Sequence, residues 1–142
     1  MANYNRVMGF DYGTKRIGIA FGQMITKTAS PLAVVNNRNG LPDWTHITTL
    51  IKQWHPQALV IGLPMNMNNT RQNTTDLAES FAKELQHKFN LPIYLVDERL
   101  TTISAREEVF NKGGYKALQE AKIDAHAAKI ILESWMNEQN LV

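Results

Sequence analysis

The stretch from Gly9 to Gly22 constrains this chain more than any other. Val7 to Phe10 and Ile17 to Phe21 are apolar runs, and between them stands a polar step of Asp11, Tyr12, Gly13, Thr14, Lys15 and Arg16. Both runs read as strands, and Gly13 suits the turn that joins them. Asp11 then stands where a buried strand meets a loop, a costly position for a carboxylate without a cation nearby. Gly13 removes a side chain beside it, while Thr14, Lys15 and Arg16 bring a hydroxyl and two positive charges, a set that suits a phosphate. An ordinary hairpin whose aspartate caps its own turn is the alternative reading of the same residues.

Leu32 to Val35 continues the apolar pattern as a third strand of an antiparallel meander, and Asn36 to Gly40 is turn-like. Pro42 and Asp43 open a helix carrying Trp44, Ile47, Leu50, Ile51 and Trp54 at helical spacing, and His55-Pro56 ends it. Ala58 to Gly62 is a short unbroken apolar run, the mark of a strand buried on both faces. It leads through Gly62-Leu63-Pro64 into the polar loop Asn66 to Arg71, a favoured ligand position in α/β sheets, although asparagine-rich turns need no ligand. A second helix spans about Thr75 to Phe89 with Leu77, Phe81, Leu85 and Phe89 on one stripe. Pro92 to Val96 is the next buried strand and runs into Asp97-Glu98-Arg99-Leu100-Thr101-Thr102. A third helix over about Thr102 to Phe110 stops at Gly113-Gly114, and a last one covers about Ile123 to Asn137. Strands in a meander followed by alternating strands and helices make an α/β fold, a mixed sheet flanked by helices.

At 142 residues, with 44% hydrophobic and 20% charged residues, residues 1–142 are expected to form one globular domain. No repeat, low-complexity tract or linker divides it. The lack of cysteine excludes thiolate chemistry and Cys-ligated zinc and fits a reducing compartment. The N-terminus has no apolar signal core and no run reaches the length of a membrane span, so a cytoplasmic protein without a membrane partner is expected. A formal charge of +2 permits a nucleic-acid partner without demanding one.

Three places share one feature, a carboxylate where apolar structure meets a loop: Asp11, Asp97-Glu98, and Asp124. Asp124 falls in the first turn of the expected last helix, where complementing the helix dipole would explain it. Ala127, Ala128 and Ile131 follow on the same face, which turns Asp124 toward the end of the sheet. Converging carboxylates repel one another, and Mg²⁺ or Mn²⁺ relieves this through hard oxygen ligands. Two such ions, roughly 3.5–4 Å apart, can activate a water and stabilise the leaving oxygen in phosphodiester cleavage.

The string Phe-Asp-Tyr-Gly-Thr-Lys-Arg-Ile-Gly from Phe10 to Gly18, then Gly62-Leu63-Pro64, Asp97 to Thr102, and Asp124 with Ala127-Ala128 and Ile130-Ile131-Leu132, resembles the YqgF family. Its members are also called RuvX, pre-16S rRNA nucleases or Holliday junction resolvases. The resemblance covers nearly the whole chain in order. It implies a ribonuclease H-like fold of five strands, the first three antiparallel, with helices on both faces. It also implies a metal-dependent nuclease in which Asp11, Glu98 and Asp124 are the catalytic, metal-binding carboxylates, holding two Mg²⁺ or Mn²⁺ ions. Many members carry Asp-Gly where this chain has Asn68-Asn69, a difference outside the core site.

Neighbouring strand residues face opposite ways, so Asp97 and Glu98 are not expected to point at one site together; the motif positions of the resemblance give that role to Glu98 and leave Asp97 structural. Thr14, Lys15, Arg16 and Arg99 are placed to contact substrate phosphates. Arg106, Lys112, Lys116 and Lys122 would extend that surface, although a solvated helix face explains them better. None of the four histidines is assigned to metal; His126, two residues after Asp124, does not share its helix face. The implied task is 5′-end maturation of small-subunit ribosomal RNA, with cleavage of branched DNA by a dimer as the second reading. The protein would thus be a monomer or homodimer. Asp-x-Gly-Thr also resembles the phosphate loop of two-lobed sugar kinases, but this chain has room for one lobe. A binding module without turnover is the remaining alternative.

Overall fold

A computed structural model describes residues 5–38, 40–64, 73–97 and 117–139. In chain order these form β1 (Arg6–Tyr12), β2 (Arg16–Gln23), β3 (Thr28–Arg38), β4 (Leu41–Pro42), α1 (Trp44–Trp54), β5 (Ala58–Leu63), α2 (Asn73–Phe89), β6 (Ile93–Asp97) and α3 (Ala117–Glu138). The sheet order is β4-β3-β2-β1-β5-β6. The first four strands pair antiparallel in sequence, whereas β1 with β5 and β5 with β6 are parallel. The expected helix over Thr102 to Phe110 lies outside the described residues.

The sheet has six strands where five were expected. The third is longer than its apolar segment because pairing with β2 runs from Gln23↔Thr28 to Arg16↔Asn36, past polar residues that carry no apolar signal. Gly40, with φ of 87°, then turns the chain so that Leu41 and Pro42 pair with Arg38 and Asn37. Asp43 caps α1, its carboxylate accepting from His46 N at 3.2 Å. His55 ends that helix in the left-handed region, its N–H bonded to Ile51 O at 2.9 Å.

Strand alternation sends two different residue sets to the two faces. On one face Met8, Phe10, Ile17, Ile19, Leu59 and Ile61 pack with Ile47 and Leu50 of α1 and Phe81 and Leu85 of α2. Leu77, expected on the same stripe, is 36% exposed, because Thr75 and Ala78 take the inward positions of the first turns. Thr75 also donates a short hydrogen bond to Pro64 O, fastening α2 to the end of β5. On the other face Val7, Ala20, Ala58 and Val60 meet Ala128, Ile131, Leu132, Trp135 and Met136 of α3. Small residues dominate that side of the sheet, so α3 sits unusually close to it. A Cβ on Gly9 would lie 2.9 Å from Leu132 Cβ and 3.1 Å from Ala128 O.

Candidate active site

The register places Asp11 in a row of residues with no side-chain bulk on either side. Asp11 pairs with Gly18 of β2 and with Gly62 of β5, and Gly62 pairs in turn with Val96 of β6. Met8, Phe10 and Tyr12 point to the α1–α2 face and Val7 to the α3 face, so alternation sends Asp11 to the α3 face. Its residue is half-buried. Gly18 shares that face, as does Arg16, because Ile17 and Ile19 belong to the opposite core.

The helix α3 supplies the second acid. A Cβ on Gly18 would overlap the carbonyl oxygen of Asp124 and stand 2.8 Å from Ala125 N. The backbone of Asp124 therefore rests directly on Gly18, whose paired strand neighbour, roughly 5 Å away by antiparallel geometry, is Asp11. Ala127, Ala128 and Ile131 are fully buried, as their spacing from Asp124 required. Asp124 does not lie in a first turn, however. Helix α3 begins at Ala117, two turns earlier, because Ala-Leu-Gln-Glu-Ala-Lys from Ala117 to Lys122 favours helix without showing the apolar period. A helix dipole acts within the terminal turn, so it does not account for Asp124.

Arg16 does account for the way this carboxylate is held. Arg16 Nε donates to Asp124 Oδ2 at 2.7 Å, with the two side chains 35% and 25% exposed. This is a charge-assisted bond between β2 and α3, partly shielded from water. Gly13 is required in the preceding turn by close approach, since a Cβ there would stand 2.6 Å from Arg16 O. Thr14 is half-buried and Lys15 exposed on that turn, open to a ligand above the strand ends.

One residue that the sequence did not single out holds this turn in place. Asn37 is 3% exposed; its Nδ2 donates to Gly13 O at 2.7 Å and its backbone N–H to Lys15 O at 3.0 Å. Asn37 Oδ1 is buried with no partner among the described residues. Its place in a turn-like stretch gave no signal, because both bonds cross from β3 to a turn more than twenty positions earlier.

Asp97 closes β6 paired with Leu63, and it is exposed. Tyr94 and Val96 pack on the α3 side and Ile93 on the other, so Asp97 falls on the face opposite Asp11. Glu98, Arg99, Arg106, Lys112 and Lys116 lie outside the described residues, and the side chain of Lys122 is likewise outside them. Among the described residues no group of three or more acidic or histidine side chains gathers in one place. The two acids that are brought together fit a hard divalent cation in kind. Both are carboxylates, one lies between glycines, and the other has already drawn a cationic guanidinium.

A family model described as RuvX: Holliday junction resolvase matches residues 5–138. The chain belongs to the RuvX family. Among its relatives is the Haemophilus ducreyi protein named "Putative pre-16S rRNA nuclease", 50% identical over 131 residues that cover 92% of this chain and 95% of that one. A Proteus mirabilis protein of the same name is 50% identical over 133 residues, 94% of this chain and 96% of its own. In structure the chain is similar to Thermus thermophilus RuvC solved with a Holliday junction substrate, with a TM-score of 0.57 and 15% identity over 95% of each chain. The fowlpox virus resolvase solved with Holliday junction DNA gives a TM-score of 0.57 at 11% identity, over 94% of this chain and 97% of that one. These likenesses establish the mixed α/β fold of the RuvC-like, ribonuclease H-type resolvases. In this RuvX protein Asp11, near the end of β1, and Arg16, at the start of β2, lie on the face covered by α3, which carries Asp124.

Proposed function

We propose that this RuvX protein is a metal-dependent nuclease that hydrolyses phosphodiester bonds in structured nucleic acid, and that precursor 16S rRNA is its substrate. The observation that carries the reading is the seating of Asp124 on Gly18, the strand partner of Asp11, which brings two carboxylates to one face at one end of the sheet. Asp11 and Asp124 would hold Mg²⁺ or Mn²⁺, with Glu98 as the third ligand. Asp97 does not compete for that role from the opposite face. A bound divalent ion supplies Lewis-acid stabilisation of the charge that develops at the phosphorus and the leaving oxygen. Thr14 and Lys15 offer a hydroxyl and a positive charge on a turn held by Asn37, and they position the phosphate backbone over Asp11. Arg99 would add a further charge. Relatives about 50% identical over nearly their full length, named for pre-16S rRNA, support RNA as substrate and the cytoplasm as the site of action.

Branched DNA is the second reading, supported by the description of the family model and by resolvases of this fold solved with junctions. Resolution of a junction needs two opposed active sites and hence a homodimer, whereas trimming an RNA end needs only a monomer. We regard residues 1–142 as a single nuclease domain. The deciding experiment incubates the purified protein with end-labelled precursor 16S rRNA, a four-way DNA junction and unstructured strands, with Mg²⁺, Mn²⁺ or chelator. Metal-dependent cutting that disappears in Asp11→Asn supports the nuclease, and the preferred substrate selects between the two readings. Binding of RNA and metal with no cutting of any substrate would replace the nuclease with a binding module.

A further inference from the structure

We infer that Arg16 is a built-in competitor for the metal at Asp124, released to the substrate phosphate when the ion enters. The inference rests on the reading of Asp124 as a metal ligand. Arg16 Nε points at Asp124 Oδ2 from 2.7 Å, so the guanidinium stands where a cation on that oxygen would feel it directly. A divalent ion on Oδ2 and a guanidinium on the same oxygen are like charges within a few ångströms, and each raises the cost of the other.

Neither backbone can relieve the conflict. Arg16 begins β2, paired with Asn36, and the turn before it is held by Asn37 at Gly13 O and Lys15 O. Asp124 is pressed against Gly18 by a helix whose inner residues are fully buried. The side chain of Arg16, 35% exposed on a flexible stem, can swing away from the carboxylate instead. Rotation carries it toward the same open edge where Lys15 lies exposed. A phosphate there matches the guanidinium fork as well as a carboxylate does. Metal and nucleic acid would therefore bind with positive linkage, since each favours the state in which Arg16 has left Asp124.

The test measures binding of Mn²⁺ alone, by calorimetry or by loss of the free-ion paramagnetic resonance signal, in wild type, Arg16→Gln and Asp124→Asn. Arg16→Gln should bind Mn²⁺ at least tenfold more tightly than wild type, whereas Asp124→Asn should bind it at least tenfold more weakly. Unchanged or weaker binding in Arg16→Gln, with Asp124→Asn impaired, overturns the competition and leaves the metal site standing. Unchanged binding in Asp124→Asn removes Asp124 from the metal site and the competition with it. A measurement on unmodified protein guards against misfolding of the variant. The Arg16 Nε–H proton resonance should be protected from exchange in chelator and lose that protection on saturation with Mg²⁺. Protection that persists with Mg²⁺ bound overturns the inference.

Discussion

Gly18→Ala should damage stability and activity together, because one methyl group stands between the sheet and the helix that carries Asp124. The new Cβ would lie 2.8 Å from Ala125 N and deeper still against the Asp124 carbonyl, both backbone atoms that cannot rotate away. Restoring an ordinary separation of roughly 3.5 Å from that carbonyl requires α3 to lift by roughly 1.5 Å at this point. Overpacking of this kind costs about 2–3 kcal/mol, near the upper part of its usual range. For a chain of this size that lowers the unfolding midpoint by roughly 6–12 °C. Lifting Asp124 that far from its seat on Gly18 should also reduce cleavage by at least roughly 100-fold. The assay is thermal unfolding followed by circular dichroism, paired with cleavage of precursor rRNA well below the variant's midpoint. Gly9→Ala is the comparison, since its Cβ meets Leu132 Cβ at 2.9 Å and Ala128 O at 3.1 Å, about two turns and about one turn past Asp124. It should lose less stability and keep most of its activity. A Gly18→Ala protein that unfolds and cleaves like wild type would refute the seating of α3. One that is destabilised yet fully active would refute the dependence of the site on that seat.

On the proposed metal role of Asp11, Asp11→Asn should reduce metal-dependent cleavage at least ~100-fold with little change in unfolding temperature; a matching loss of stability would point to a structural aspartate. Asn37→Ala should cost about 1–2 kcal/mol through loss of its bond to Gly13 O and should weaken substrate binding more than turnover, as read from KM and kcat. Asp97→Asn should leave cleavage within about twofold of wild type, because a difference that small is all a residue on the far face of β6 is expected to make; loss of activity would place Asp97 in the site. Mg²⁺ at about 100 times its dissociation constant should raise folding stability by about 2.7 kcal/mol, an increase that chelator reverses and Asp124→Asn diminishes.

Much of the framework was legible along the chain. The apolar runs at Val7 to Phe10, Ile17 to Phe21, Ala58 to Gly62 and Pro92 to Val96 became β1, β2, β5 and β6. Asp43 and His55-Pro56 marked the ends of α1 to within a residue. These signals are local: an alternation of two, a period of 3.6, a cap or a breaker, each written within a dozen positions. The alternation that keeps Asp97 and Glu98 from facing one way was equally local, but it did not say which of them faces Asp11; the packing of Tyr94 and Val96 puts Asp97 on the opposite face.

The relations that make a site of these residues were not local. That Asp11 lies between Gly18 and Gly62 depends on the register of three strands, and that Asp124 rests on Gly18 depends on the depth at which α3 meets the sheet. Leu77 fitted the helical period and still came out exposed, because the period cannot say where a neighbouring surface ends. Gly13 was rightly read as a residue of the turn that joins β1 and β2, and only the structure shows that the approach of Arg16 O is what requires a glycine there. Asn37 and the two-residue β4 carried no pattern at all. The amino-acid order thus determined which segments are strands and helices and which acids stand at their ends, since burial and backbone preference act over a few residues. Pairing of distant strands and the close fit of α3 then determined that Asp11, Arg16 and Asp124 share one face, since register and packing depth are properties of segments only when they meet.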